Sequence, residues 1–301
     1  MAMQSRSLHG RVAVITGGGR GIGRALALAL TREGCRVAIG DVDEAAAAAV
    51  AREAGGETLG LRLDVTDRPG FTAFLDEVEQ RLGPIEVLVN NAGIMPVGPF
   101  ESEDDATVIR ILEIDLHAVL HGSKEAVRRM RPRGSGHIVN VASIAGRVGF
   151  PNLATYSAAK HGVIGLSEAL RQELRGTGVD VSVVMPAIVR TELAVGLRPS
   201  RGFKPSTPEE VAEAIVEALR KNRFDVYVPR SLGPTWVGMI ALPRRAREAL
   251  ARAMQIYGAA LDTDHSTRAA YEARAAASAP ATDAVIAEAA AEPDSREQAA
   301  A

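Results

Sequence analysis

Thr16-Gly17-Gly18-Gly19-Arg20-Gly21-Ile22-Gly23, preceded by the apolar run Val12-Ala13-Val14-Ile15, reads as a strand, a tight turn and the start of a helix. Gly17, Gly21 and Gly23 let the backbone turn sharply, and without a Cβ there a phosphate can approach main-chain N–H groups. The helix expected from Ile22 to about Arg32 aims its positive dipole end at such an anion. The spacing is Gly-x-x-x-Gly-x-Gly rather than Gly-x-Gly-x-x-Gly, so only the mechanism carries over from the commoner dinucleotide fingerprint. Read alone, the stretch also fits a glycine-rich strand-to-helix turn that holds no ligand.

Strands and helices alternate outward from this turn. Short apolar strands are expected at Arg36 to Gly40, Thr58 to Leu63, Ile85 to Val89, His137 to Ala142, Val181 to Met185 and Asp225 to Val228. Between them lie helices over Asp43 to Ala54, Arg68 to Leu82, about Asp104 to Met130, Tyr156 to Arg175 and Thr207 to Lys221. Continuous Val/Ile/Leu runs suit strands buried on both faces, so the fold class is α/β, a doubly wound parallel sheet of seven strands with helices on both faces. Such sheets bind ligands at the carboxyl ends of their strands. The informative residues follow the strands there: Asp41, Asp64, Asn90 to Gly93, Ser143 and Pro186. Any one of them could be an ordinary cap.

Thirty-five basic residues are scattered among 37 acidic ones for a formal net charge of −2, which argues against a nucleic-acid surface and for a small-molecule partner. The single cysteine, Cys35, excludes internal disulfides, leaves a metal cluster unsupported and is expected to be a buried, inert thiol. The N-terminus has no apolar signal core, and no run approaches the ~18 apolar residues of a spanning helix, so the cytoplasm is the expected compartment.

Tyr156 and Lys160 stand four residues apart at the start of a helix and share one face. A tyrosine near its free pKa of ~10 is a poor base at neutral pH, but an adjacent ammonium stabilises the phenolate. Tyr156 could then exchange a proton with a substrate oxygen, and Ser143 could hydrogen-bond to the same oxygen and orient it. Tyr-x-x-x-Lys is also a common surface pair on helices.

With the glycine turn, Asn90-Asn91-Ala92-Gly93, Ser143 and Tyr156-Ser157-Ala158-Ala159-Lys160 in this order, the chain resembles the short-chain dehydrogenase/reductase family from about Leu8 to Pro229. The resemblance implies one Rossmann-type domain over residues 8–230. It would transfer a hydride between a nicotinamide cofactor and an alcohol or carbonyl carbon, as a homodimer or homotetramer. By position, Tyr156 resembles the general acid/base, Ser143 the partner of the substrate oxygen, and Lys160 both a ribose ligand and the tuner of Tyr156. The glycine-turn residues Gly17, Gly19, Arg20, Gly21, Ile22 and Gly23 would cradle the cofactor. Asp64-Val65 would flank its adenine, Asn91, Ala92 and Gly93 its adenosine ribose, and Pro186, Val189 and Thr191 its nicotinamide. Two departures stand out: Ala187 where the family often has glycine, and Asp115 where it usually has an asparagine that helps hold a water beside the lysine. A catalytically inactive dinucleotide-sensing or scaffolding protein on this fold would be expected to lack Tyr156 or Lys160.

Asp41 lies at the end of the second strand, where a carboxylate can accept from ribose hydroxyls and would repel a 2′-phosphate. This favours NAD, whereas Arg20 points toward NADP because a basic residue there often accompanies NADP in the family. Ile94, Met95, Val97, Val148, Phe150 and Leu193 flank the expected site and suggest an apolar substrate. Glu192 to Pro208 resembles the family's substrate lid. Residues 231–274 are expected to form a helical extension packed on the domain, with Ala246, Leu250, Met254, Tyr257 and Leu261 along one stripe opposite Arg245, Arg247 and Arg252. Residues 232–261 could instead lie on a membrane surface. The alanine-rich tail, 275–301, is expected to be mostly disordered.

Overall fold

The computed structural model describes residues 6–197, 204–253, 258–261 and 263–278. The seven apolar runs form seven parallel strands: β1 (Val12–Thr16), β2 (Arg36–Asp41), β3 (Thr58–Arg62), β4 (Ile85–Asn90), β5 (Gly136–Val141), β6 (Val179–Pro186) and β7 (Asp225–Val228). Their order in the sheet is β3-β2-β1-β4-β5-β6-β7. The chain leaves β1 in one direction for β2 and β3, and later returns beside β1 with β4. A crevice therefore opens at the carboxyl ends of β1 and β4, the switch point of the winding.

The helices are α1 (Gly21–Arg32), α2 (Glu44–Ala54), α3 (Arg68–Leu82), α4 (Asp105–Leu112), α5 (Ala118–Met130), α6 (Ala154–Glu173) and α7 (Pro208–Lys221). Alternation along β1 divides the core. Val12 and Val14 point to the face covered by α3 to α6, where Phe71, Leu75, Ile111 and Met130 are buried. Ala13 and Ile15 point to the face covered by α1, α2 and α7, where Leu26, Leu30, Val50 and Ile215 are buried. Cys35 lies in this second layer with its Sγ donating to Leu8 O at 3.2 Å, and burial pushes its thiol up to about 11, so it stays a protonated, inert group.

Two expectations are corrected. The helix expected from Asp104 to Met130 is interrupted by a π-helical turn, Glu113–His117, between α4 and α5. That wider turn carries Asp115 into the interior, where it is fully buried.

The second correction concerns the C-terminal extension, which forms α8 (Leu232–Ile240), α9 (Arg244–Ala253), the short α10 (Gly258–Leu261) and α11 (His265–Ala277). The stripe is misplaced: Ala246, Leu250 and Leu261 are exposed, whereas Ala251 and Ala260 are buried; Met254 and Tyr257 lie outside the described residues. Ala251 packs beside α8, whose Trp236 and Met239 meet Tyr227 and Val148, whereas Ala260 joins the core on the face covered by α3 to α6. No helix among the described residues is long and apolar enough to cross a membrane.

Helix α11 runs three residues into the alanine-rich tail, to Ala277, with Ala275 buried, a continuation that alanine's high helix propensity permits. Residues 279–301 lie outside the described residues.

Candidate active site

The glycine turn is held by its neighbours rather than by its own bonds. Asn91 Nδ2 donates to Thr16 O and Gly17 O, both at 2.9 Å, and Thr16 Oγ1 accepts from the N–H groups of Asn91 (3.0 Å) and Ala92 (3.1 Å). An added Cβ on Gly23 would sit 2.3 Å from Gly17 O, and Gly17 has φ +63°, so both positions need glycine. Helix α1 begins with no side-chain cap and no acidic residue in its first turn, which leaves its leading N–H groups and positive end facing the crevice. An anion fits this end.

Asp41 closes the turn from the other side. Its Oδ2 accepts from Gly19 N–H at 2.8 Å and its Oδ1 from Asp43 N–H at 3.0 Å, and each oxygen keeps a lone pair for another donor. Arg20 is half-exposed, pairs with Asp43 and comes within 3.7 Å of Glu192. A pre-existing acidic partner thus weakens its claim on a phosphate. Asp64 is partly committed to local structure, because its Oδ1 accepts from Thr66 N–H and Oγ1. Asp41, Asp64, Val65, Ala92, Gly93 and Ile114 nevertheless line one continuous cleft.

This cleft adjoins a pocket that contains Ser143, Tyr156 and Lys160 together with Pro186, Val189 and Thr191. Ser143 sits just beyond β5, where its Oγ accepts from Ala145 N–H at 3.1 Å and so is turned away from the strand. Tyr156 and Lys160 are both buried in the first two turns of α6, with Lys160 Nζ 5.5 Å from the Tyr156 ring centre. Lys160 Nζ donates to Val141 O at 3.3 Å and lies 3.0 Å from Asp115 Oδ1. The Asp115 contact is a buried ion pair through Oδ1, while Oδ2 accepts from Ile94 N–H at 3.3 Å. Gly93 is required beside this pair, because an added Cβ would meet Asp115 Oδ1 at 2.5 Å.

The electrostatics differ from the sequence expectation. Tyr156 is pushed above its ordinary value, first by burial and then by the Asp115 carboxylate, with the Ser143 hydrogen bond acting the other way. Burial also raises Asp115 against the pull of Lys160. The ammonium expected to lower Tyr156 is thus faced by a buried carboxylate that offsets its field. In the sequence Asp115 stands out only as a departure from the usual asparagine, because the π-helical turn that swings it inward leaves no spacing signal.

Beyond Ser143 and Tyr156 the pocket is walled by Met95, Ile144, Phe150, Leu153, Leu193, Leu197 and Ala260. Of the apolar residues expected here, Met95, Phe150 and Leu193 line it and Ile94 lines the neighbouring cleft. Val97 belongs to the core and Val148 packs under α8. Tyr271 and Ser278 also line the cleft. They were not anticipated, since an alanine-rich run with scattered polar residues gives no sign of what it covers. A buried relay also went unread: Asn90 Nδ2 donates to Asn140 Oδ1 (2.9 Å) and Asn140 Nδ2 to Ser167 Oγ (3.0 Å), tying β4, β5 and α6 together beneath the site.

Among proteins of known kind, a cis-4-hydroxycyclohexanecarboxylate dehydrogenase of Sinomonas cyclohexanicum is 42% identical over 217 residues, covering 68% of this chain and 87% of the relative. A ketoacyl reductase of Nostoc is 36% identical over 228 residues, covering 74% and 79%. A crystal structure of a short-chain dehydrogenase/reductase from Burkholderia phymatum in complex with NAD superposes with a TM-score of 0.71 at 30% identity, covering 77% of this chain and 93% of that one. The family model described as short chain dehydrogenase matches residues 11–202. With this match, the doubly wound sheet and the convergence of Ser143, Tyr156 and Lys160 on one pocket, the chain belongs to the short-chain dehydrogenase/reductase family of oxidoreductases.

Proposed function

We propose that this protein interconverts an uncharged, largely apolar secondary alcohol and its ketone, using NAD in preference to NADP. The observation that carries the reading is the meeting of Tyr156, Ser143 and Lys160 in an apolar pocket that opens onto the glycine-turn cleft. The cleft fits a dinucleotide in its chemistry: an uncapped helix N-terminus for phosphates, a carboxylate with spare lone pairs at Asp41 for ribose hydroxyls, and Leu63, Val65, Ile94 and Ile114 as an apolar slot for adenine. A nicotinamide dinucleotide, when bound, supplies or accepts the hydride.

The remaining chemistry falls to side chains. Tyr156 exchanges the proton with the substrate oxygen, Ser143 holds that oxygen, and Lys160 reaches the ribose while its charge acts on Tyr156. A Tyr156 raised by burial and by Asp115 keeps its proton at neutral pH, which equips it to donate to a carbonyl. Ketone reduction is therefore favoured near neutrality and alcohol oxidation at alkaline pH.

The pocket also bears on substrate charge. Among the described residues lining it, Lys160 and Asp115 are the charged ones and they neutralise each other. A substrate carboxylate, such as that named for the Sinomonas relative, would be desolvated there without a partner. We place the enzyme in the cytoplasm as a homo-oligomer. The test is a panel of neutral and carboxylated cyclic alcohols and ketones assayed with both cofactors by nicotinamide absorbance. Turnover of neutral substrates with NAD is expected; preference for the carboxylates would refute the neutral-pocket argument, and absence of all turnover would favour a sensing or scaffolding role.

A further inference from the structure

Helix α11 lies outside the family match, yet it is fastened to both loops that frame the site. Arg268 is wholly buried, with Nη1 donating to Leu193 O (3.0 Å) and Val195 O (2.7 Å), Nη2 to Met95 O (2.6 Å), and Nε to Glu272 Oε1 (2.9 Å). A buried guanidinium is costly unless it is paired and its donors are met, and three of these acceptors are carbonyls of the loops after β4 and β6. Tyr271 reinforces the clamp: its hydroxyl accepts from Met95 N–H at 2.7 Å, and the Arg268 guanidinium lies 4.8 Å from its ring centre. Asp264 N–H donates to Gly196 O, and Arg274 pairs with Glu192 at 2.7 Å. The helix runs from the loop at Gly196 to Ser278, which lines the cleft with Asp41 and Val65. A 13-residue helix is about 20 Å long.

We propose that α11 forms the outer wall of the dinucleotide cleft, with Arg268 as the positioning residue that locks it to the loops at Met95 and Leu193 to Val195, and that the dinucleotide exchanges only when α11 undocks. This rests on the dinucleotide reading above. Of the side chains described on α11, Arg268 and Ala275 are buried, Tyr271 and Glu272 are half-buried and the others are exposed. Its inner face adds only Ala275 and Tyr271 to the apolar core, and the remaining attachments are the polar contacts above, a small apolar contribution of the kind that lets an element open locally.

The test uses the full-length protein in two measurements. Hydrogen exchange of the 265–277 segment is followed with and without saturating reduced NAD, and stopped-flow fluorescence gives the release rate of reduced NAD from the unmodified protein, Arg268→Met and Arg268→Lys. Exchange in 265–277 should slow on binding. Release should quicken about ten-fold or more in Arg268→Met and less in Arg268→Lys, which keeps a donor. Should Arg268→Met fail to fold, the exchange experiment on the unmodified protein decides. Slowed exchange at the glycine turn, 16–23, with no change in 265–277 would overturn the proposal while leaving the dinucleotide reading intact. Failure of the unmodified protein to bind either NAD or NADP would overturn both.

Discussion

Replacing Asp115 by asparagine removes one charge from a buried pair while keeping the shape and an acceptor for Ile94 N–H. Lys160 Nζ is 5.5 Å from the Tyr156 ring centre and Asp115 Oδ1 is 3.0 Å from Lys160 Nζ, so the carboxylate stands at most about 8.5 Å from the ring. At an effective dielectric near 20, two unit charges at that distance interact by about 2 kcal/mol, equivalent to roughly 1.5 pKa units. The carboxylate raises Tyr156, so its loss must lower it, by on the order of one unit after rearrangement. Alcohol oxidation, which needs Tyr156 as the base, should then reach half its plateau about one pH unit earlier in Asp115→Asn. Because Tyr156 lies above its ordinary value, the shift is read on the rising limb: at any fixed pH between about 7 and 10, at saturating substrate, Asp115→Asn should oxidise alcohol about ten times faster than the unmodified protein. A folded Asp115→Asn variant with an unchanged profile would refute the electrostatic role and leave only a backbone contribution from this position. Loss of activity in the folded variant would mean that Lys160 cannot be held without the carboxylate.

Tyr156→Phe keeps the ring and removes the exchangeable proton, so turnover should fall by at least about 100-fold while NAD affinity, measured by calorimetry, stays near its original value. Asp41→Ser removes the carboxylate that accepts from Gly19 and opposes a 2′-phosphate. It should narrow or invert the preference for NAD, and tighter binding of NADP than of NAD by the unmodified protein would transfer control of the site to Arg20. His137 is buried against Ser182 Oγ at 2.8 Å, and burial depresses it to about 4. The unfolded chain therefore binds this proton more readily than the folded one, and stability should decline as pH falls from about 6.5 toward 4, by at most about 3.5 kcal/mol. Thermal melts across that range should show the decline, and His137→Asn should flatten part of it.

What could be read in the sequence follows from how far apart the interacting residues lie along the chain. The seven strands and the glycine turn were legible because a buried parallel strand is an unbroken apolar run, and because a turn that must lack Cβ atoms has to be written in glycine. Tyr156 and Lys160 were legible because one helical turn fixes their mutual position. Asp115 was legible only as a departure: a π-helical turn breaks the 3.6-residue period by which its facing could have been judged. The C-terminal stripe is misplaced because periodicity groups residues into a face without saying which neighbour that face meets, and Ala251 and Ala260 are the ones that fit against the body.

Arg268 marks the limit of such reading. Composition treats an arginine in an alanine-rich run as solvated or paired with a neighbour such as Glu272, four residues on, whereas its other acceptors are carbonyls more than 70 positions away at Val195 and Leu193 and more than 170 away at Met95. Carbonyl acceptors are present at every residue and so carry no sequence signature. The chemistry of this site is therefore written locally, at strand ends and on one helix face. Its enclosure is written in main-chain acceptors that only the folded chain brings to one guanidinium, and enclosure of this kind can differ between relatives that share every catalytic side chain.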